Sequence, residues 1–163
     1  MYKTKQQRVG LVVVFLLIMA AGAGYGRANM GIGITGGIQP FDGLEGYLFA
    51  TSVLPSSPIV LGVGIQFYEY PVRANMSVYL DWLMLQHPFL DNLIFYSGPG
   101  VFSSFPDPFE IGARIPVGVK WFIAERRVEL FLETAPTMIF AGDDSVLIPG
   151  FKLLSLIGVR FWF

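Results

Sequence analysis

The sequence predicts an all-β chain: eight antiparallel strands closed into an up-and-down transmembrane β-barrel, after a cleaved signal peptide. Three observations carry this expectation. Apolar and polar residues alternate with a period of two in segment after segment, the mark of strands with one apolar face. The links between these segments are short and rich in turn residues, which forces neighbouring strands to run antiparallel. Only 14% of the residues are charged while 53% are hydrophobic; soluble domains carry about 25% charged residues.

The first twenty-odd residues have the pattern of an export signal. Lys3, Lys5 and Arg8 make a positive start, Leu11 to Met19 is an unbroken apolar core, and Ala21-Gly22-Ala23 is a small-residue cleavage site. A retained helical anchor would need about 20 apolar residues, and this run is shorter. The expected organisation is a signal peptide over 1–23 and one barrel over 24–163. Losing Lys3, Lys5 and Arg8 from the 11 basic residues leaves the 12 acidic ones in excess. No basic footprint for nucleic acid remains.

The alternation is followed strand by strand. Met30, Ile32 and Ile34 alternate with Gly31, Gly33 and Thr35. Residues 44–53 are strand-like without a clear face. Ile59, Leu61, Val63, Ile65 and Phe67 alternate with Val60, Gly62, Gly64, Gln66 and Tyr68. Met76, Val78, Leu80, Trp82 and Met84 alternate with Asn75, Ser77, Tyr79 and Asp81. Residues 92–102 are again strand-like and unoriented, bent at "SGPG", where proline is tolerated. From 110 to 123, Ile111, Ala113, Ile115, Val117, Val119, Trp121 and Ile123 share one face. Glu110, Gly112, Arg114, Pro116, Gly118, Lys120 and Phe122 share the other. "AERR" (Ala124 to Arg127) makes a tight hairpin. Beyond it Val128, Leu130, Leu132 and Thr134 oppose Glu129, Phe131, Glu133 and Ala135. The closing segment, about 151–163, puts Ile157, Val159, Phe161 and Phe163 on one side and Gly158, Arg160 and Trp162 on the other.

Strands of about ten residues suit a tilted membrane crossing. A soluble sandwich, or a lipocalin-like carrier, would turn its polar face to water and crowd it with charge. Here one face is Ile, Val, Leu, Phe and Trp; the other carries Gly, Tyr, Ser, Gln and a few charges. Glycine fills a sandwich core poorly, but it suits the crowded inside of a narrow barrel, where small and large residues share the space. Lipid offers no hydrogen bonds to a free strand edge, so the last strand is expected to pair with the first and end the wall at Phe163.

The ending "LIGVRFWF" resembles the C-terminal assembly signal of bacterial outer-membrane barrels: a glycine, two variable positions, an aromatic or apolar residue, one variable position and a final aromatic. Gly158, Phe161 and Phe163 match, whereas Leu156 stands where a polar residue is usual. The segments "SVYLDWLMLQHPFL", "FYSGPGVF", "IGARIPVGVKWF" and "VELFLETAPTM" are similar to small eight-stranded outer-membrane barrels of spirochaetes and related bacteria, more loosely to OmpW and the OmpA barrel domain. This likeness spans roughly 58–163. It implies a bacterial outer-membrane location, with membrane lipids, periplasmic chaperones and the outer-membrane barrel assembly machinery as partners. It leaves activity open, because the fold hosts unrelated functions.

The inward charges are the candidate functional group: Arg114, Lys120, Glu129, Glu133 and Arg160. The hairpin at 124–127 places Lys120 opposite Phe131, with Glu129 and Glu133 diagonal to it, within reach of long side chains. An ion-pair network that fills the lumen is expected, since eight strands enclose just enough room for side chains and a desolvated charge needs a partner. A polar path for a small hydrophobic or ionic solute is the functional counterpart. His87, the single histidine, is expected in a turn or short helix beside Pro88. No serine or acid is spaced to make it a lipid hydrolase, which needs triad geometry. One histidine and no cysteine give no metal cluster, and Asp143 and Asp144 suit a solvated turn better than a calcium site needing six to eight oxygens. Gly31, Gly33, Gly36 and Gly37 lack the following helix of a phosphate loop and are expected inside the barrel or leading into its first turn. No cofactor is expected. Trp82, Trp121, Trp162, Tyr70 and Phe163 sit near strand ends, where aromatic girdles lie.

Overall fold

The computed structural model describes residues 30–39, 45–54, 57–68, 73–143 and 149–163. The expected signal peptide, Tyr70 and Asp144 lie outside these residues. The described residues form eleven strand segments: β1 (Gly31–Gln39), β2 (Glu45–Val53), β3 (Ile59–Tyr68), β4 (Arg73–Trp82), β5 (Leu85–Leu90), β6 (Leu93–Ser97), β7 (Gly100–Phe105), β8 (Glu110–Arg114), β9 (Val117–Ile123), β10 (Val128–Gly142) and β11 (Gly150–Trp162). They build eight barrel strands, because β4 continues as β5, β6 as β7, and β8 as β9, each across a two-residue break.

Every pairing is antiparallel, and β11 pairs with both β10 and β1, closing the sheet. A line of paired residues begun at Gly31 runs through Val53, Val60, Asp81, Gly100, Arg114 and Thr137. It arrives at Lys152, beyond Ser155, the partner of Ile38. The wall is thus staggered by about a strand length, the tilt that closure of a narrow barrel requires.

The three breaks have chemical causes. Ile115–Pro116 lies across from Ala135–Pro136, where two prolines supply no N–H to the ladder. The other two face each other. Register passes from Asp81↔Gly100 to Leu85↔Ser97, so one extra residue sits at Leu83–Met84. This is a β-bulge, which bends the strand and re-aims its side chains. Gly98 permits it: a Cβ there would lie 1.8 Å from the Trp82 carbonyl oxygen.

The alternation resolves into outside and inside. Ile34, Leu132 and Ile157 stand out from the wall, while Phe49, Tyr79, Tyr96, Phe102 and Leu156 are buried within it. β2, unoriented in the sequence, turns Tyr47, Phe49, Thr51 and Val53 inward. Three expectations are corrected. His87 lies in a strand, β5, and not in a turn or helix; β5 pairs only with β6 and is exposed along its whole length, and the His87 ring is edge-on to Phe89. Gly36 is on the outer face, with only the Tyr47 carbonyl oxygen near a hypothetical Cβ, at 3.9 Å. Met30 is buried, its carbonyl accepting from the Phe163 N–H at 3.1 Å.

Candidate functional site

The barrel interior holds every buried charge among the described residues, arranged in two tiers. The lower tier lies toward the end that carries Met30 and Phe163. Glu129 and Arg160 are direct partners across β10 and β11, and their side chains form an ion pair. Each has a second tie. Trp162 donates its indole N–H to Glu129 Oε2 at 3.0 Å, and Arg160 Nε donates to Thr51 Oγ1 at 3.2 Å. The Arg160 guanidinium lies 3.8 Å from the centre of the Phe131 ring, close enough for a cation–π contact. Trp162 is therefore part of the interior, unlike Trp82 and Trp121, which are exposed near the same end.

One layer further in, Arg114 Nη2 donates to Glu133 Oε1 at 2.5 Å, and Tyr96 donates its hydroxyl to Glu133 Oε2 at 2.9 Å. Arg114 Nε also lies 3.1 Å from Asp81 Oδ1. That contact is close without hydrogen-bond alignment: neither Asp81 oxygen nor Arg114 Nε makes a hydrogen bond. It is a charge pair held by proximity. Gly100 leaves room for it, since a Cβ there would fall 2.0 Å from Asp81 Oδ1. The Tyr79 ring centre is 4.3 Å from the Arg114 guanidinium.

Lys120 stands apart from the acids. It faces Phe131 in register, but Glu129 is held by Arg160 and Trp162, and Glu133 by Arg114 and Tyr96. Its ammonium donates to Gln86 Oε1 at 2.7 Å, and among the described residues no carboxylate is within ion-pair distance. The five candidate charges therefore form two ion pairs and one separate cation.

The upper tier was not singled out in the sequence. Glu45 Oε2 accepts from the Tyr47 hydroxyl at 2.6 Å and from Gln66 Nε2 at 2.8 Å, and Ser77 donates to Gln66 Oε1 at 3.0 Å. Lys152 donates to Glu110 Oε2 at 2.8 Å and lies 3.6 Å from Glu45 Oε2. Ser104 donates to the same Glu110 oxygen at 3.1 Å. The signal was there: Gln66, Ser77 and Glu110 all occupy the polar phase of their strands. What hid the network was β2, whose face could not be assigned.

Beside the upper tier, the small space lined by Gln39, Tyr47, Phe102, Thr137, Lys152 and Leu154 leaves no room for water. At the Met30 end a cavity of about 310 Å³ opens above Leu83, Lys120, Arg160 and Trp162. Among the described residues no group of three His, Cys, Asp or Glu side chains could hold a metal. Asp143 ties two connections together: its carboxylate accepts from the Phe109 N–H at 2.7 Å, and its own N–H donates to the Phe109 carbonyl at 3.0 Å.

With this geometry in hand, solved structures give three likenesses. A de novo designed transmembrane β-barrel superposes with a TM-score of 0.54 at 13% identity, covering 83% of this chain and 96% of that one. The N-terminal β-barrel domain of Pseudomonas aeruginosa OprF gives 0.54 at 11% identity, covering 84% and 100%. Neisserial surface protein A gives 0.51 at 13%, covering 82% and 96%. This chain has the eight-stranded transmembrane β-barrel fold. Identities this low establish the fold alone. No protein-family profile and no curated protein matches the chain.

Proposed function

We propose that the chain is an integral barrel of the bacterial outer membrane, non-enzymatic, with a structural or surface-interaction role and a lumen closed by its own side chains. The observation that carries this is the interior itself. Arg114 and Arg160 are only 1% and 2% exposed, each locked to a glutamate from β10, and the small space beside Tyr47, Phe102 and Leu154 is too tight for water. The outward Ile, Leu, Phe and Trp residues suit acyl chains as neighbours, and closure leaves no ladder edge along most of the wall. The export pattern at 1–23 and Gly158, Phe161 and Phe163 support passage through periplasmic chaperones to the barrel assembly machinery. The likeness to spirochaete and OmpW-type barrels adds to this reading at the level of the quoted segments.

Catalysis is not part of the proposal. His87 is exposed on β5, paired in register with Phe95 and with its ring edge-on to Phe89. A narrow path for small hydrophobic or ionic solutes is the second reading, and the cavity at the Met30 end favours it. Such a path would require the Arg160–Glu129 and Arg114–Glu133 pairs to part. Single-channel recording on the refolded barrel in planar bilayers decides between the two. The proposal expects no discrete conductance steps; defined steps would replace it with the channel.

A further inference from the structure

The cavity at the Met30 end is a built feature. β2 and β3 stop at Val53 and Ile59, while β5, β6 and β9 run on past them, leaving a recess against the inner wall. The bulge at Leu83–Met84 then aims Gln86, itself exposed at the rim, at Lys120. The recess measures about 310 Å³, at the lower end of small-molecule sites. Arg160 and Glu129 also line it, and they pair with each other. Val53, Leu54, Pro58, Leu83 and the Trp162 ring give it a continuous apolar wall, and Ser57 and Gln86 are its uncharged polar members.

One charge in this recess is not neutralised by an ion pair. The Lys120 ammonium has three N–H donors, and the Gln86 carbonyl oxygen takes one of them. The rings of Tyr96 and Phe122 lie 5.9 and 5.7 Å away and offer only weak cation–π attraction. A buried cation with spare donors, beside the apolar wall of Val53, Leu54, Pro58, Leu83 and Trp162, matches an anion that carries an apolar body. A single cation matches a single negative charge. We propose that this recess binds small amphiphilic monoanions, a short-chain or medium-chain carboxylate, with the carboxylate on Lys120 and the chain against Leu83 and Trp162. The site needs no through-path, so it stands whether or not the barrel conducts.

The test uses the full chain refolded in lipid nanodiscs with Trp82→Phe and Trp121→Phe, which leaves Trp162 as the one tryptophan of the original three. Hexanoate, 1-hexanol and inorganic phosphate are each titrated while Trp162 emission is followed. The proposal expects a saturable change with hexanoate and none with 1-hexanol or phosphate. Lys120→Gln should weaken the hexanoate response by at least about tenfold, the loss of one charge-assisted hydrogen bond, and Lys120→Arg should restore it. Leu83→Phe, which fills the recess and keeps Lys120, should abolish the response. An equal response to 1-hexanol or to phosphate overturns the proposal. So does an unchanged response in folded Lys120→Gln or Leu83→Phe, or no saturable response at all.

Discussion

Glu129 and Arg160 stand directly opposite each other on β10 and β11, and their side chains close into an ion pair inside the barrel. Register alone brings them together, because both occupy the inward phase of strands that pair along their whole length. Arg114 and Glu133 are offset, since Arg114 faces Thr137, and the long arginine spans the difference. Removing one member of such a pair leaves the other buried and uncompensated, at a cost of about 3–5 kcal/mol. Arg160→Met should therefore lower the stability of the refolded barrel by that order, read as the urea midpoint of its heat-modifiable gel band. Arg160→Met combined with Glu129→Leu should recover part of the loss. An unshifted midpoint in Arg160→Met would mean that the pair contributes nothing.

Glycines separate by face. At Gly62 a Cβ would lie 2.2 Å from the Tyr79 ring, which is itself wedged between Phe49 and Arg114. Gly62→Val should abolish the folded band, because overpacking of a closed interior has no outlet. Gly36→Val points outward into open space and should fold with stability unchanged or raised.

The outer face should respond to charge by depth. Leu132, 57% exposed, stands between Val119 and Ile157 well inside the wall, whereas Phe140 lies near the far end of β10. In a bilayer Leu132→Arg should cost about 2–4 kcal/mol and Phe140→Arg about 0–1. Equal costs, measured by equilibrium unfolding from vesicles, would deny that this face meets acyl chains.

The hairpin between β9 and β10 carries three consecutive left-handed residues, with φ of 49° at Ala124, 56° at Glu125 and 66° at Arg126. None is glycine, and this conformation costs an L-residue roughly 1–2 kcal/mol. Glycine gives back part of the gain through chain entropy, so Glu125→Gly should stabilise the barrel by about 0.5–1 kcal/mol, seen as a higher urea midpoint at unchanged slope.

Most of this architecture is legible in the alternation of residues. From 110 to 123 and from 128 to 135, branched or aromatic residues mark one phase and charges or glycines the other, and the folded faces follow them. Legibility fails where side chains are small or mixed. In β2, Gly46, Ala50 and Ser52 blur the outer face, and with it went Glu45 and the whole upper tier. It fails again at the bulge, because an inserted residue reverses the phase of the side chains beyond it; that is why Gln86, and not His87, reaches Lys120. The recess had no local signal, since it arises from strands of unequal reach meeting at one rim.

A wall with apolar residues outside and paired charges inside should fold only where an amphiphile covers it. The chain refolded into lipid nanodiscs should show β circular dichroism and a heat-modifiable band, and on transfer to plain buffer it should aggregate. A monodisperse, folded chain in buffer free of detergent and lipid would rule out such a wall.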